Sequence, residues 1–110
     1  MSNAKSAAAF YPITSPERRS IVQRLGNLAA ELDHEARLRT VRAEADERLD
    51  LGSWNAMVAD ELARSAGTVR FVATLVIQGG MTTARARMWL VSTQSFVKLV
   101  RRADAKGVIQ

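Results

Sequence analysis

The stretch 81-MTTARARMWLVSTQSFVKLVRRADAKGVIQ-110 decides how this chain is read. It carries six basic residues, Arg85, Arg87, Lys98, Arg101, Arg102 and Lys106, and one acid, Asp104. The sequence before it is balanced, with ten Lys or Arg against ten Asp or Glu. The formal net charge of +5 therefore belongs to this segment. A positive field concentrated on one small element is the electrostatic footprint of a polyanion binder.

Two backbone courses fit the stretch. In the first, residues 82–103 form a helix-turn-helix. Ala86 is the small residue where two helices cross, and Trp89, Val91, Phe96 and Leu99 lock them together. Ser92 then opens a recognition helix over 92–103, its hydroxyl capping the first turn and the free N–H groups there suiting a phosphate. In the second, one unbroken helix runs from Thr82 to about Lys106 and lines Met88, Trp89, Ser92, Phe96, Leu99 and Ala103 along one face. Local chemistry pulls both ways. The run Val91-Ser92-Thr93-Gln94-Ser95 suits a cap better than a helix interior, whereas Leu90 stands where the turn would favour glycine.

From Ser92 onward, STQSFVKLVRRADAKGVI resembles the recognition helix and following segment of MarR-type winged-helix regulators, which commonly show Ser-x-x-Thr-Val-x-Arg-Leu-Val-x-Arg-Leu-Glu-Ala-Lys-Gly-Leu-Ile. Ser92, Ser95, Phe96, Lys98, Leu99, Val100, Arg102, Asp104, Ala105, Lys106, Gly107 and Ile109 match in type and spacing. The resemblance covers the C-terminal third and stops at Val108-Ile109-Gln110, where the wing would begin. It implies a bacterial or phage transcriptional regulator that binds double-stranded DNA. On the helix-turn-helix course, Thr93, Gln94 and Lys98 face base edges in the major groove. Arg85, Arg87, Ser92, Arg101, Arg102 and Lys106 then contact phosphates.

Upstream, residues 1–14 read as a flexible arm with one apolar knot, Phe10-Tyr11-Pro12-Ile13. Ser15-Pro16-Glu17 is a helix start: a cap, a proline suited to the first helical position, and an acid at the positive end of the dipole. Ile21, Leu25, Leu28 and Leu32 follow at spacings of four, three and four, which predicts a long amphipathic helix over 15–52. A bend is expected near His34. That stripe serves either as a homodimer interface or as a scaffold within the chain. The alternating charges from Asp33 to Asp50 read as a solvated face.

Leu51-Gly52-Ser53 reads as a break before a DNA-binding unit over 53–110. Trp54, Met57, Val58, Leu62, Ser65 and Val69 repeat at helical spacing. TVRFVATLVI is rich in β-branched residues but is read as helix, for want of a partner strand. Gly79-Gly80 is a stop.

Composition bounds the rest. An apolar content of 47% suits a globular chain, and aromatics at 5% leave the core to Ala, Val and Leu. With no cysteine there is neither a disulfide frame nor a thiolate metal site. No apolar run is long enough to span a bilayer and no signal peptide is visible, so a cytoplasmic protein without a membrane partner is expected. Lone His34 lies between Asp33 and Glu35, whose side chains point away from it, so no metal site is expected. Trp54 and Trp89 read as core anchors. No nucleophile set or nucleotide loop is present, and neither an enzyme nor a cofactor is expected. The expectation is an all-α bundle with a C-terminal helix-turn-helix, dimeric through its long first helix. The alternatives are a non-catalytic adaptor or scaffold, or a phage or plasmid DNA-packaging or partition protein.

Overall fold

A computed structural model describes the backbone of residues 15–45 and 49–106, and the side chains of 15–45 and 52–106. The arm at 1–14 and the segment Gly107–Gln110, with Gly107 and Ile109 of the regulator-like motif, lie outside the described residues. Among the described residues three helices follow in order: α1 (Pro16–Ala45), α2 (Leu49–Ile77) and α3 (Thr83–Ala105). The fold is all-α, as the periodicity predicts.

Helix α1 starts as its sequence dictates. The Ser15 hydroxyl accepts from the Arg18 N–H at 3.4 Å, its carbonyl accepts from the Arg19 N–H at 3.0 Å, and Pro16 takes the first helical position. Helix α2 returns antiparallel to α1. The Arg18 guanidinium donates to the Val76 carbonyl at one end, and Arg39 reaches Asn55 toward the other. Gly79 ends α2 at φ +78, and the Gly80 N–H reaches back to the Leu75 carbonyl at 2.7 Å. This is a left-handed helix terminus, which glycine adopts without the Cβ clash. Thr82 then caps α3 by accepting from the Arg85 N–H at 3.2 Å. Helix α3 runs parallel to α1, with Thr83 beside Glu17 and Asp104 beside Arg39.

Ile21, Leu25, Leu28 and Leu32 are all buried, packed with Val58, Leu62, Val69, Val72 and Val76 of α2 and with Ala86, Leu90 and Val100 of α3. The stripe proposed as a dimer interface is thus occupied inside the chain, because α2 and α3 together cover it. Other expectations change too. Helix α1 passes His34 without a break, and Gly52 and Ser53 lie inside α2 rather than before it. The helical reading of TVRFVATLVI holds, within a helix that also passes through Gly67.

The largest change concerns α3, which is one helix from Thr83 to Ala105 with no turn at Leu90–Val91. Tertiary packing explains it. Ala86, Leu90, Thr93, Val97, Val100 and Asp104 follow at spacings of four, three, four, three and four, a continuous seam laid against α1 and α2. Leu90 is 0% exposed. A turn there would need a left-handed residue and would split the seam. Among the described residues the only positive φ belongs to Gly79. The weak helix propensity of residues 91–95 is overridden by this burial.

Candidate functional site

The site builds up from α3, whose inward seam fixes where its other side chains point. At ~100° per residue, Met88, Val91 and Leu99 lie opposite the seam. They are 71%, 53% and 58% exposed, and Ser92 and Ser95 lie open between them. One flank of this apolar strip carries Arg87, Gln94, Lys98 and Arg101, and the other carries Arg85. Arg102 borders the strip near its C-terminal end. Arg85, Lys98, Arg101, Arg102 and Lys106 have no ion pair among the described residues, while Arg87 meets Glu17 at 3.6 Å.

The lone acid of the segment is turned the other way. Asp104 sits in a polar cluster that ties all three helices together. Arg39 of α1 donates to both of its carboxylate oxygens, one at 3.2 Å, and Trp54 of α2 donates its indole N–H to Oδ1 at 2.9 Å. Arg39 also meets Glu35 at 3.1 Å and Asn55 Oδ1 at 3.2 Å. Arg39 is only 4% exposed, so nearly all its donors must find partners inside the protein. The Arg39 guanidinium, helped by the Trp54 indole, holds the Asp104 carboxyl below the usual carboxylate range against the opposing pull of burial. With Asp104 tied to Arg39 and Trp54, the outer surface of α3 presents cations, apolar groups and the neutral polar Ser92, Gln94 and Ser95.

The structure sorts the residues proposed for DNA contact. Gln94 and Lys98 are exposed on one flank, but Thr93 is 9% exposed and belongs to the inward seam. Ser92 is exposed in mid-helix, not at a helix N-terminus, so its N–H is not free for a phosphate. Arg85, Arg87, Arg101, Arg102 and Lys106 are all exposed. Trp54 anchors against the core as expected, whereas Trp89 is 40% exposed beside the apolar strip. His34 is exposed. Among the described residues no three His, Cys, Asp or Glu side chains cluster as metal ligands, and no helix is long and apolar enough to cross a membrane.

The charge pattern from Asp33 to Asp50 reads Arg39 as part of a solvated face, whereas in the fold it follows Leu25, Leu28, Leu32 and Ala36 on the buried side of α1 and pairs with Asp104. A charge at a core position, with one unexplained acid elsewhere, was the available signal.

Comparison with known proteins gives no match: no family model fits the chain, and neither a curated protein nor a solved structure matches it.

Proposed function

We propose that this chain is a non-catalytic helical interaction module that docks through the outer face of α3. The observation that carries this reading is the line of Met88, Val91 and Leu99, each more than half exposed and bordered by cations. An apolar centre within a polar rim is the anatomy of a protein–protein contact. Three large apolar side chains aligned on one helix also mark a surface that a partner covers. The full chain carrying Met88→Glu and Leu99→Glu should keep its helical content and lose its association, measured by light scattering or partner capture. Association that survives both changes sinks the reading.

A second reading, double-stranded DNA as the partner, is favoured by the unpaired Arg85, Lys98, Arg101 and Arg102. On it the cations contact phosphates and supply most of the affinity, and Gln94 and Lys98 are the exposed side chains able to meet base edges. A mobility-shift assay on random duplex at two salt concentrations tests it. Binding that falls with salt and weakens in Arg101→Ala with Arg102→Ala supports DNA, and the absence of a shift at low salt removes it. Transcriptional regulation would then rest on a straight helix face rather than on a recognition helix following a turn.

A further inference from the structure

The outer face of α3 has a counterpart on the opposite side of the same molecule. Between α1 and α2, on the flank of α1 away from Arg39 and α3, the hairpin opens into a groove of about 960 Å3. Its lining includes Ala36, Ala43, Gly52, Ala56, Ala59 and Ala63, none of which has a side chain long enough to fill it. Three carboxylates, Asp33, Glu44 and Asp60, line it against one cation, Arg37. Asp33 pairs with Arg70 and Asp60 with Arg64, while Glu44 has no ion pair among the described residues.

We propose that this groove receives α3 from a second copy of the chain. This rests on the reading of α3 as a docking face and names its partner. Three features of the two surfaces agree. In texture, α3 offers large apolar side chains and the groove offers a floor of small residues. In charge, the residues flanking the α3 strip are cations and the neutral Gln94, whereas the groove is lined by three carboxylates, of which Glu44 has no ion pair among the described residues, and one cation. In length, Asp33 to Glu44 along α1 and Met88 to Leu99 along α3 both span about 16 Å of helix at the standard rise. The two surfaces face away from each other, so one molecule cannot satisfy both.

The contact is therefore head-to-tail. Each copy that inserts its α3 still offers an empty groove, and each copy that receives one still offers a free α3. Such an interface closes into a ring or propagates as a filament, and does not stop at a two-fold dimer.

A mixing experiment on the full chain tests this. One variant, Met88→Glu with Leu99→Glu, loses the α3 face and keeps the groove. Another, Ala56→Arg with Ala63→Arg, blocks the groove at two exposed positions and keeps α3. Circular dichroism confirms that each stays helical, and the exposed change Glu44→Lys is a milder groove variant expected to weaken association about tenfold. In sedimentation velocity, wild type should grow beyond two copies with concentration. Each double variant alone should remain a monomer, and an equal mixture should form a heterodimer that grows no further.

If the groove variant and Glu44→Lys associate as wild type does, α3 docks elsewhere, and this inference falls while the parent reading stands. If the Met88→Glu, Leu99→Glu variant associates undiminished, both fall. A monomeric wild type at every concentration overturns self-docking. If such a monomer also shifts random duplex DNA equally well with and without the Met88 and Leu99 changes, the parent reading falls too.

Discussion

Arg39 grips both carboxylate oxygens of Asp104, joining positions 65 apart in the chain and fixing the far end of α3 against the α1–α2 hairpin. The near end is held by the Gly79–Gly80 turn and by Thr83 donating to Glu17 at 2.9 Å. Between the two ends lies the seam of Ala86, Leu90, Thr93 and Val100. The outer face of α3 keeps its orientation because its back is held at three places.

Removing both partners of that grip should cost less than the two single removals added together. Asp104→Ala leaves the buried Arg39 without its principal acceptor, and about 2 kcal/mol of stability should be lost, less than for a fully dry pair because the Asp104 side chain is 34% exposed. Arg39→Leu combined with Asp104→Leu should cost less than the two single changes added together, since neither charge is left unpaired, with a residual cost from Asn55 Oδ1 and the Trp54 indole N–H, which lose their partners. Urea unfolding of the two single variants and the double variant checks this. Single-variant costs that simply add would refute the coupling.

Acid should release the same end of α3. The Asp104 carboxyl is held below its ordinary value of 3.8, by the Arg39 hydrogen bonds first and the Trp54 indole second. A depressed folded value means that the contribution is fully present above 3.8 and is lost as pH falls through the lower folded value. Wild type should therefore lose more stability than Asp104→Asn between neutral pH and ~pH 3. Parallel pH curves for the two proteins would show that the carboxylate does not act in this way.

Ser92 and Leu90 together report the course of the backbone. In an unbroken α3, exposed mid-helix Ser92→Ala should be neutral or stabilise by up to ~0.5 kcal/mol. At a recognition-helix cap the same change would instead cost about 1 kcal/mol. Leu90→Ala empties a fully buried site and should cost about 2–5 kcal/mol. Thermal or denaturant melts give the signs directly.

The glycines divide in a similar way. Gly26 and Gly67 lie in helix interiors where an added Cβ meets nothing within 4 Å. Gly26→Ala and Gly67→Ala should each raise stability by about 0.5–1 kcal/mol. Gly79 also has open space around it, but at φ +78 an alanine is strained whatever the room, so Gly79→Ala should destabilise by about 1 kcal/mol. Melting temperatures moving the same way at all three positions would contradict this account.

Much of the architecture was legible in the residues because α1 and α2 declare themselves by period. Ile21, Leu25, Leu28 and Leu32 give one stripe and Val58, Leu62, Val69 and Val76 its complement. Ser15-Pro16 and Gly79-Gly80 mark ends for local steric reasons that need no tertiary knowledge. The course of α3 was harder to read, since residues 91–95 favour a cap when taken alone and become helical only because Leu90, Thr93 and Val97 have a surface to pack on. Which side of α1 met that surface was also hidden. Period finds a stripe but not its partner, so the same leucines served equally well for a dimer. The chemistry of the site followed the same division. The cations of α3 could be counted from the sequence, whereas their separation from Asp104 required the fold.

The seam of α3 has a further consequence, for the order in which the protein comes apart. Helices α1 and α2 pack along most of their lengths, whereas α3 contributes a narrow row of side chains and one ion-paired end. Breaking the Arg39–Asp104 grip and lifting that row leaves the more extensively packed α1–α2 hairpin, with the side of its core that α3 covered now open to solvent. Helix α3 is thus expected to be the first cooperative unit to open. Its amide hydrogens should exchange with solvent as a block, ahead of those in α1 and α2, and a partner that covers its outer face would slow that exchange from the outside.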